Sequence, residues 1–144
     1  MSERPDLFVN KKSSLAEIIE VRIDATMPDI TQELLKRSLY EVFGERNAMR
    51  RRERIAELWT VDCTFVDNDG EHQGQDALDG AIARIQEHTP GFVFSEIGTP
   101  QAHHGIGRMS WGYGPQGEPP KVTGLDVAVI RESKIAAMYT FLDL

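Results

Sequence analysis

Apolar residues recur at helical spacing through the first half of the chain, and the period shortens to that of strands in the second half. Ile30, Leu34, Leu35, Leu39, Val42 and Phe43 make the first helical run. Met27-Pro28-Asp29 supplies its start, because proline is tolerated in a first turn and aspartate suits the positive end of the dipole, and Gly44 closes it. A second helix is predicted at about 47–60, with Ile55, Leu58 and Trp59 on its buried stripe. Residues 63–67 are then a short β-prone run, and Asn68-Asp69-Gly70 has the chemistry of a tight reversal, with 71–73 as the return strand. Gly74 opens a third helix over 75–88, whose Leu78, Ile82 and Ile85 share one face. Beyond Pro90-Gly91, strands are predicted at 92–97, 101–113, 121–130 and 134–142, and Pro100 separates the first two. Gly105, Gly107 and Gly112 predict bends or bulges in a strongly curved sheet.

Helices followed by an antiparallel meander make an α+β layout. A sheet this long must bury one face on the helices, and curling around them leaves a cavity at its open end. Residues 27–144 form that domain. Residues 1–26 read as an extension or arm, with Leu15, Ile18, Ile19 and Val21 suggesting a short helix. A chain of 144 residues suits one domain and needs no disulfide staples.

Composition narrows the setting. The single cysteine, Cys63, has no internal disulfide partner; the N-terminus is charged where a signal peptide is apolar; and no run approaches the roughly 20 apolar residues of a membrane span. A cytoplasmic chain with no membrane partner is expected. Net charge is −7, and the one basic cluster (Arg46, Arg50, Arg51, Arg52, Arg54) alternates with Glu45, Glu53 and Glu57. It reads as a solvated, ion-paired face, so no nucleic-acid partner is expected.

Asp126 is the most informative polar position. It interrupts Val122-Thr123-Gly124-Leu125-Asp126-Val127-Ala128-Val129-Ile130, a strand apolar on both parities and therefore expected to be covered on both faces. Burial raises a carboxyl pKa and makes a usable acid or hydrogen-bond donor; the alternative is a structural carboxylate paired with an arginine such as Arg108, or one lying near the sheet edge. Asp67 precedes the turn and is either a site carboxylate or a turn cap. His103 and His104 are adjacent on a predicted strand, so they point to opposite faces and do not chelate together; one is expected to face inward to the site, or else to be satisfied in the core or exposed at the rim. No ligand spacing such as Glu-x-x-His occurs, so no metal is expected, and the absence of a phosphate-binding glycine loop or dinucleotide fingerprint disfavours nucleotide cofactors. Trp59, Phe65, Met109, Trp111, Tyr113, Met138 and Leu142 are candidate walls for a small apolar molecule, or plain core.

Several segments taken in order resemble a known family. They are Leu39-Tyr40, then Ile55-Ala56-Glu57-Leu58-Trp59 leading into Val61-Asp62-Cys63-Thr64-Phe65-Val66-Asp67, the Gly74-to-Leu78 helix start, Gly124-Leu125-Asp126-Val127 and the ending Phe141-Leu142-Asp143. Together, over about residues 30–144, they resemble the nuclear transport factor 2-like superfamily and its SnoaL-like group, related to polyketide cyclases and ketosteroid isomerase. The resemblance implies a cone of curved, mixed but mostly antiparallel sheet closed by helices around an apolar pocket, and a homodimer formed through the convex sheet face. It places Asp67 where the isomerase has its catalytic base, Asp126 at its protonated oxyanion-hole aspartate, and Tyr40 near its oxyanion-hole tyrosine. The Tyr40-to-Asp67 interval is longer than in the isomerase, and Asn68 stands where that pattern has proline. Two functions follow: cofactor-independent acid–base catalysis on a small carbonyl or ring compound (isomerase, cyclase or dehydratase), or non-catalytic binding of a small hydrophobic molecule or assembly partner.

Overall fold

The computed structural model describes residues 14–17, 19 and 30–144. Residues 15–17 and 19 are helical; Ile18, Val21 and the expected Met27-Pro28-Asp29 start lie outside the described residues. Helix α1, Ile30–Ser38, runs on into a π-helical turn, Leu39–Phe43, closed by the Gly44 N–H donating to the Leu39 carbonyl at 2.9 Å. Its buried positions, Leu34, Leu35, Ser38, Leu39, Val42 and Phe43, form one continuous stripe. Helix α2, Ala48–Leu58, starts at Asn47, whose side-chain oxygen accepts from the Arg50 N–H. Helix α3 spans Gln75–His88. No helix among the described residues is long and apolar enough to cross a membrane.

The arginine cluster is not one solvated face. Arg51 shares the buried stripe of α2 with Ile55 and Leu58. Its Nε donates to Asp79 Oδ1 on α3 at 2.6 Å, and its Nη1 donates to Gln86 Oε1 and the Glu45 carbonyl. Gln86 in turn donates to the carbonyls of Phe43 and Glu45, so one polar network fastens the three helices. Arg46 donates to the carbonyls of Gln86, Thr89 and Phe92, satisfying acceptors that the end of α3 leaves open. The cluster's other cations pair with carboxylates: Arg50 with Glu45, Arg52 with Asp79, and Arg54 with Glu41 and Glu57.

Six strands complete the fold: β1 Trp59–Asp67, β2 Gly70–Gln73, β3 Phe92–His103, β4 Ile106–Pro115, β5 Val122–Arg131 and β6 Lys134–Leu142. Their order is β2-β1-β6-β5-β4-β3; β1 and β6 are parallel, and every other pair is antiparallel. The third and fourth strands break at His104-Gly105 rather than at Pro100, and both residues there have positive φ, 53° and 77°. Pro100 stays within β3 because β3 is an edge strand, where a missing N–H costs no ladder bond. Around Gly98 (φ 73°) the register passes from Ile97↔Ser110 to Gln101↔Arg108, which makes a bulge. Gly107 and Gly112 do not bulge, since β4 pairs with β5 without interruption from Ile106 to Tyr113. They allow close approach instead: a Cβ on Gly107 would come 2.6 Å from Thr31 of α1, and one on Gly112 would come 2.6 Å from Pro120.

Along β5 the strand alternation is plain. Gly124, Asp126 and Ala128 are buried, whereas Leu125 and Val127 are half-buried and Val129 is exposed. Cover on both faces was expected, but the burial of Asp126 comes from the concave side alone, where the helices pack. Val93, Ile97, Ile106, Tyr139 and Phe141 are also exposed.

Candidate active site

A cavity of about 300 Å³ lies between the concave face and the helices. Its walls are mainly apolar, from Leu39 and Phe43 at the end of α1, Phe65 of β1, Phe94 of β3 and Leu142 of β6. Asp67, Asn68, Asp69, Trp111, Tyr113, Asp126 and Thr140 are among the residues that supply its polar groups.

Asp126 sits at the middle of β5, opposite Met109 on one side and Thr140 on the other. Trp111 Nε1 donates to its Oδ1 at 3.0 Å, and Thr140 Oγ1 donates to the same oxygen at 2.7 Å. The tryptophan reaches it because its cross-strand partner is Gly124, where a Cβ would lie only 2.5 Å from the indole. Burial pushes the Asp126 carboxyl up from 3.8 to about 6, with the Thr140 and Trp111 hydrogen bonds opposing. Among the described residues nothing donates to Oδ2. One oxygen is therefore fixed, and the other is open. The arginine pairing weighed above does not form, because Arg108 donates to Gln101 at 2.9 Å on the exposed side.

Asp67 combines its two readings. Its Oδ1 caps the turn, accepting from the N–H groups of Asp69 (3.0 Å) and Gly70 (3.2 Å), while the residue also lines the cavity. His72 Nε2 lies 3.3 Å from the same oxygen, and its ring stacks on Phe65 at 5.5 Å. His72 is not among the candidate residues read from the sequence. The hairpin register pairs Phe65 with His72 across Asn68-Asp69, so counting back from the turn would have put His72 beside Phe65 and Asp67.

Tyr40 lies outside the cavity and is 45 % exposed. It falls between the paired stripe positions Leu39 and Val42, and its phenol meets Glu96 instead; burial and the Glu96 charge raise its pKa. The phenol that does line the cavity belongs to Tyr113, stacked on Phe94 at 4.1 Å. Its oxygen is 2.6 Å from Thr89 Oγ1, and the Thr89 proton is committed to the Ile85 carbonyl, so Tyr113 is the donor.

His103 and His104 are both exposed at the β3–β4 turn, and neither reaches the cavity. They were expected on opposite faces of a strand; the reversal at His104 instead brings their Nδ1 atoms within 3.3 Å. Trp59, Met109 and Met138 are core rather than wall, with the Trp59 indole donating to Ser38 Oγ at 3.0 Å. Phe65, Trp111 and Leu142 do line the cavity. Among the described residues, no three metal-binding side chains converge on a point that could hold an ion.

A curved sheet packed on helices is also the architecture of a solved SnoaL-like family protein from Agrobacterium tumefaciens, provisionally called an isomerase. That protein is 28% identical, with a TM-score of 0.73, over 79% of this chain and 99% of its own. The fold is the nuclear transport factor 2-like fold. A provisional SnoaL-like polyketide cyclase from Jannaschia sp. shares this fold at 15% identity and a TM-score of 0.67, covering 83% of this chain and 91% of that one. A provisional ketosteroid isomerase from Kribbella flavida shares it at 13% identity and a TM-score of 0.60, covering 80% and 78%. No protein-family model and no curated protein matches the sequence. Within this fold, chemistry is decided by the side chains that face the pocket, not by the scaffold.

Proposed function

We propose that the cavity carries out cofactor-independent acid–base chemistry on a small, largely apolar carbonyl compound, as an isomerase, cyclase or dehydratase. The observation that carries this reading is the Asp126 carboxyl: buried, raised to about 6, held at Oδ1 by Trp111 and Thr140, and open at Oδ2. A group poised near neutrality both takes and returns a proton in one turnover. In this mechanism Oδ2 removes the proton beside the substrate carbonyl while the two donors keep the charge on Oδ1 in place. Tyr113 lines the cavity with its one proton held by Thr89, so it does not replace Tyr40 as a donor, and Asp67 with His72 adds a second polar pair. The apolar walls exclude water, which strengthens each of these interactions.

Small cyclic ketones incubated in D₂O provide the test. The protein is expected to exchange the hydrogens beside the carbonyl, and Asp126→Asn is expected to lower that rate by about 10²–10⁴-fold. Ketones that bind without exchanging, or a variant as active as the parent, would leave a binding module as the better reading.

The exposed apolar positions Val93, Ile97, Ile106 and Val129 on the convex side support a further proposal, a homodimer joined through that face. Light scattering is expected to give twice the chain mass; a single monomeric species would contradict it.

A further inference from the structure

The cavity does not end at its mouth. A second depression of about 350 Å³ adjoins it, and the two share Asp67, Asn68, Thr140 and Leu142. Beyond the shared residues this outer depression is walled by Val66, Tyr139, Phe141 and Leu144. Strand alternation explains the continuity. At the end of β6, Thr140 and Leu142 serve the inner cavity while Tyr139 and Phe141 face the other way, so one rim is apolar on both sides. Val66 pairs with Tyr139 and Leu125 with Phe141, which extends the ledge across neighbouring strands. Phe141 is 60% exposed, so the core does not account for it.

We propose that the natural ligand has two parts: a carbonyl-bearing ring in the inner cavity against Asp126, and an apolar tail that leaves past Asn68 and Leu142 to lie on Tyr139 and Phe141. The identity of the ring rests on the acid–base reading above; the tail rests on the ledge alone. The inner cavity, at about 300 Å³, is at the small end of ligand pockets, and the two spaces together reach the usual range. At the rim between them, Asp67 Oδ1 is taken up by the N–H groups of Asp69 and Gly70 and lies 3.3 Å from His72 Nε2.

A series of 4-n-alkylcyclohexanones, from the unsubstituted ketone to the hexyl member, tests this by calorimetry on the full chain. Each methylene that reaches the ledge is expected to tighten binding about fourfold until the ledge is filled. Phe141→Ser, a surface change, is expected to flatten that gain for the longer members and to leave cyclohexanone itself unaffected. A flat series in the parent protein overturns the tail, as does an equal loss for every member in the variant. A change in molecular mass on Phe141→Ser also overturns it, by assigning Phe141 to contact between copies. A rising series without hydrogen exchange retires the acid–base reading and leaves the tail standing. Exchange with a flat series does the opposite, and failure of every member to bind overturns both.

Discussion

Asp79→Ala is expected to destabilise the protein by about 3–5 kcal/mol, lowering the melting temperature by roughly 10 °C or more. Asp79 is 5% exposed and Arg51 is 3% exposed, so removing the carboxylate strands a guanidinium where water cannot solvate it. Only the neutral acceptors Gln86 Oε1 and the Glu45 carbonyl would remain to Arg51. The loss would spread, since Gln86 also fastens the end of α1. Arg52→Ala is the control: Arg52 bonds the other oxygen of Asp79 from a side chain that is 69% exposed, where a salt bridge contributes little. A double change, Arg51→Met with Asp79→Leu, is expected to recover most of the loss, because well-packed apolar residues can replace a buried ion pair. Urea denaturation of the set decides the matter. An Asp79→Ala cost no larger than that of Arg52→Ala would show that the pair does not bear on the helix packing.

That network was legible in part. Arg51, Ile55 and Leu58 are spaced i, i+4 and i+7, the same rule that located the apolar stripe of α2. Reading the arginines as a charge cluster hid the one that falls on the stripe. The same rule, applied strictly to α1, puts Tyr40 outside it, whereas family resemblance drew Tyr40 inward. The hairpin after Asp67 was read correctly as a turn, yet its register was not used, and His72 was missed for that reason. Pro100 misplaced the β3–β4 break because a proline stops a central strand but not an edge strand, and strand order cannot be read from local sequence. Helix α3 and β6 were legible because long runs of clear period depend least on distant contacts. Asp126 stood out for a related reason: a lone carboxylate in an apolar strand is conspicuous without any structure. Its partners Trp111 and Thr140 were not, because they arrive from two neighbouring strands whose register against β5 cannot be read from local sequence.

Asp126→Asn should make the protein more stable at neutral pH while removing its chemistry. The asparagine oxygen can accept from Trp111 and Thr140 as Oδ1 does, and its neutral amide stands where the charged carboxylate is costly to bury. The sign follows from linkage. A carboxyl whose value rises from 3.8 to about 6 on folding binds its proton more tightly in the folded state. That stabilisation is complete below the lower value and is lost as pH rises through the upper one. The amount lost is about 3 kcal/mol, and the asparagine variant does not lose it. Activity and stability thus change in opposite directions at one residue, as expected where a strained site is kept for chemistry.

The most direct test is the unfolding free energy of parent and Asp126→Asn, compared by denaturant titration from about pH 4 to about pH 8. If Asp126 is the poised carboxyl of the cavity, the variant's advantage grows by about 2.5 kcal/mol across that window, with most of the change complete by about pH 6. Parallel curves would mean that Asp126 titrates like an ordinary surface carboxyl, and the acid–base account of the site would fall with it.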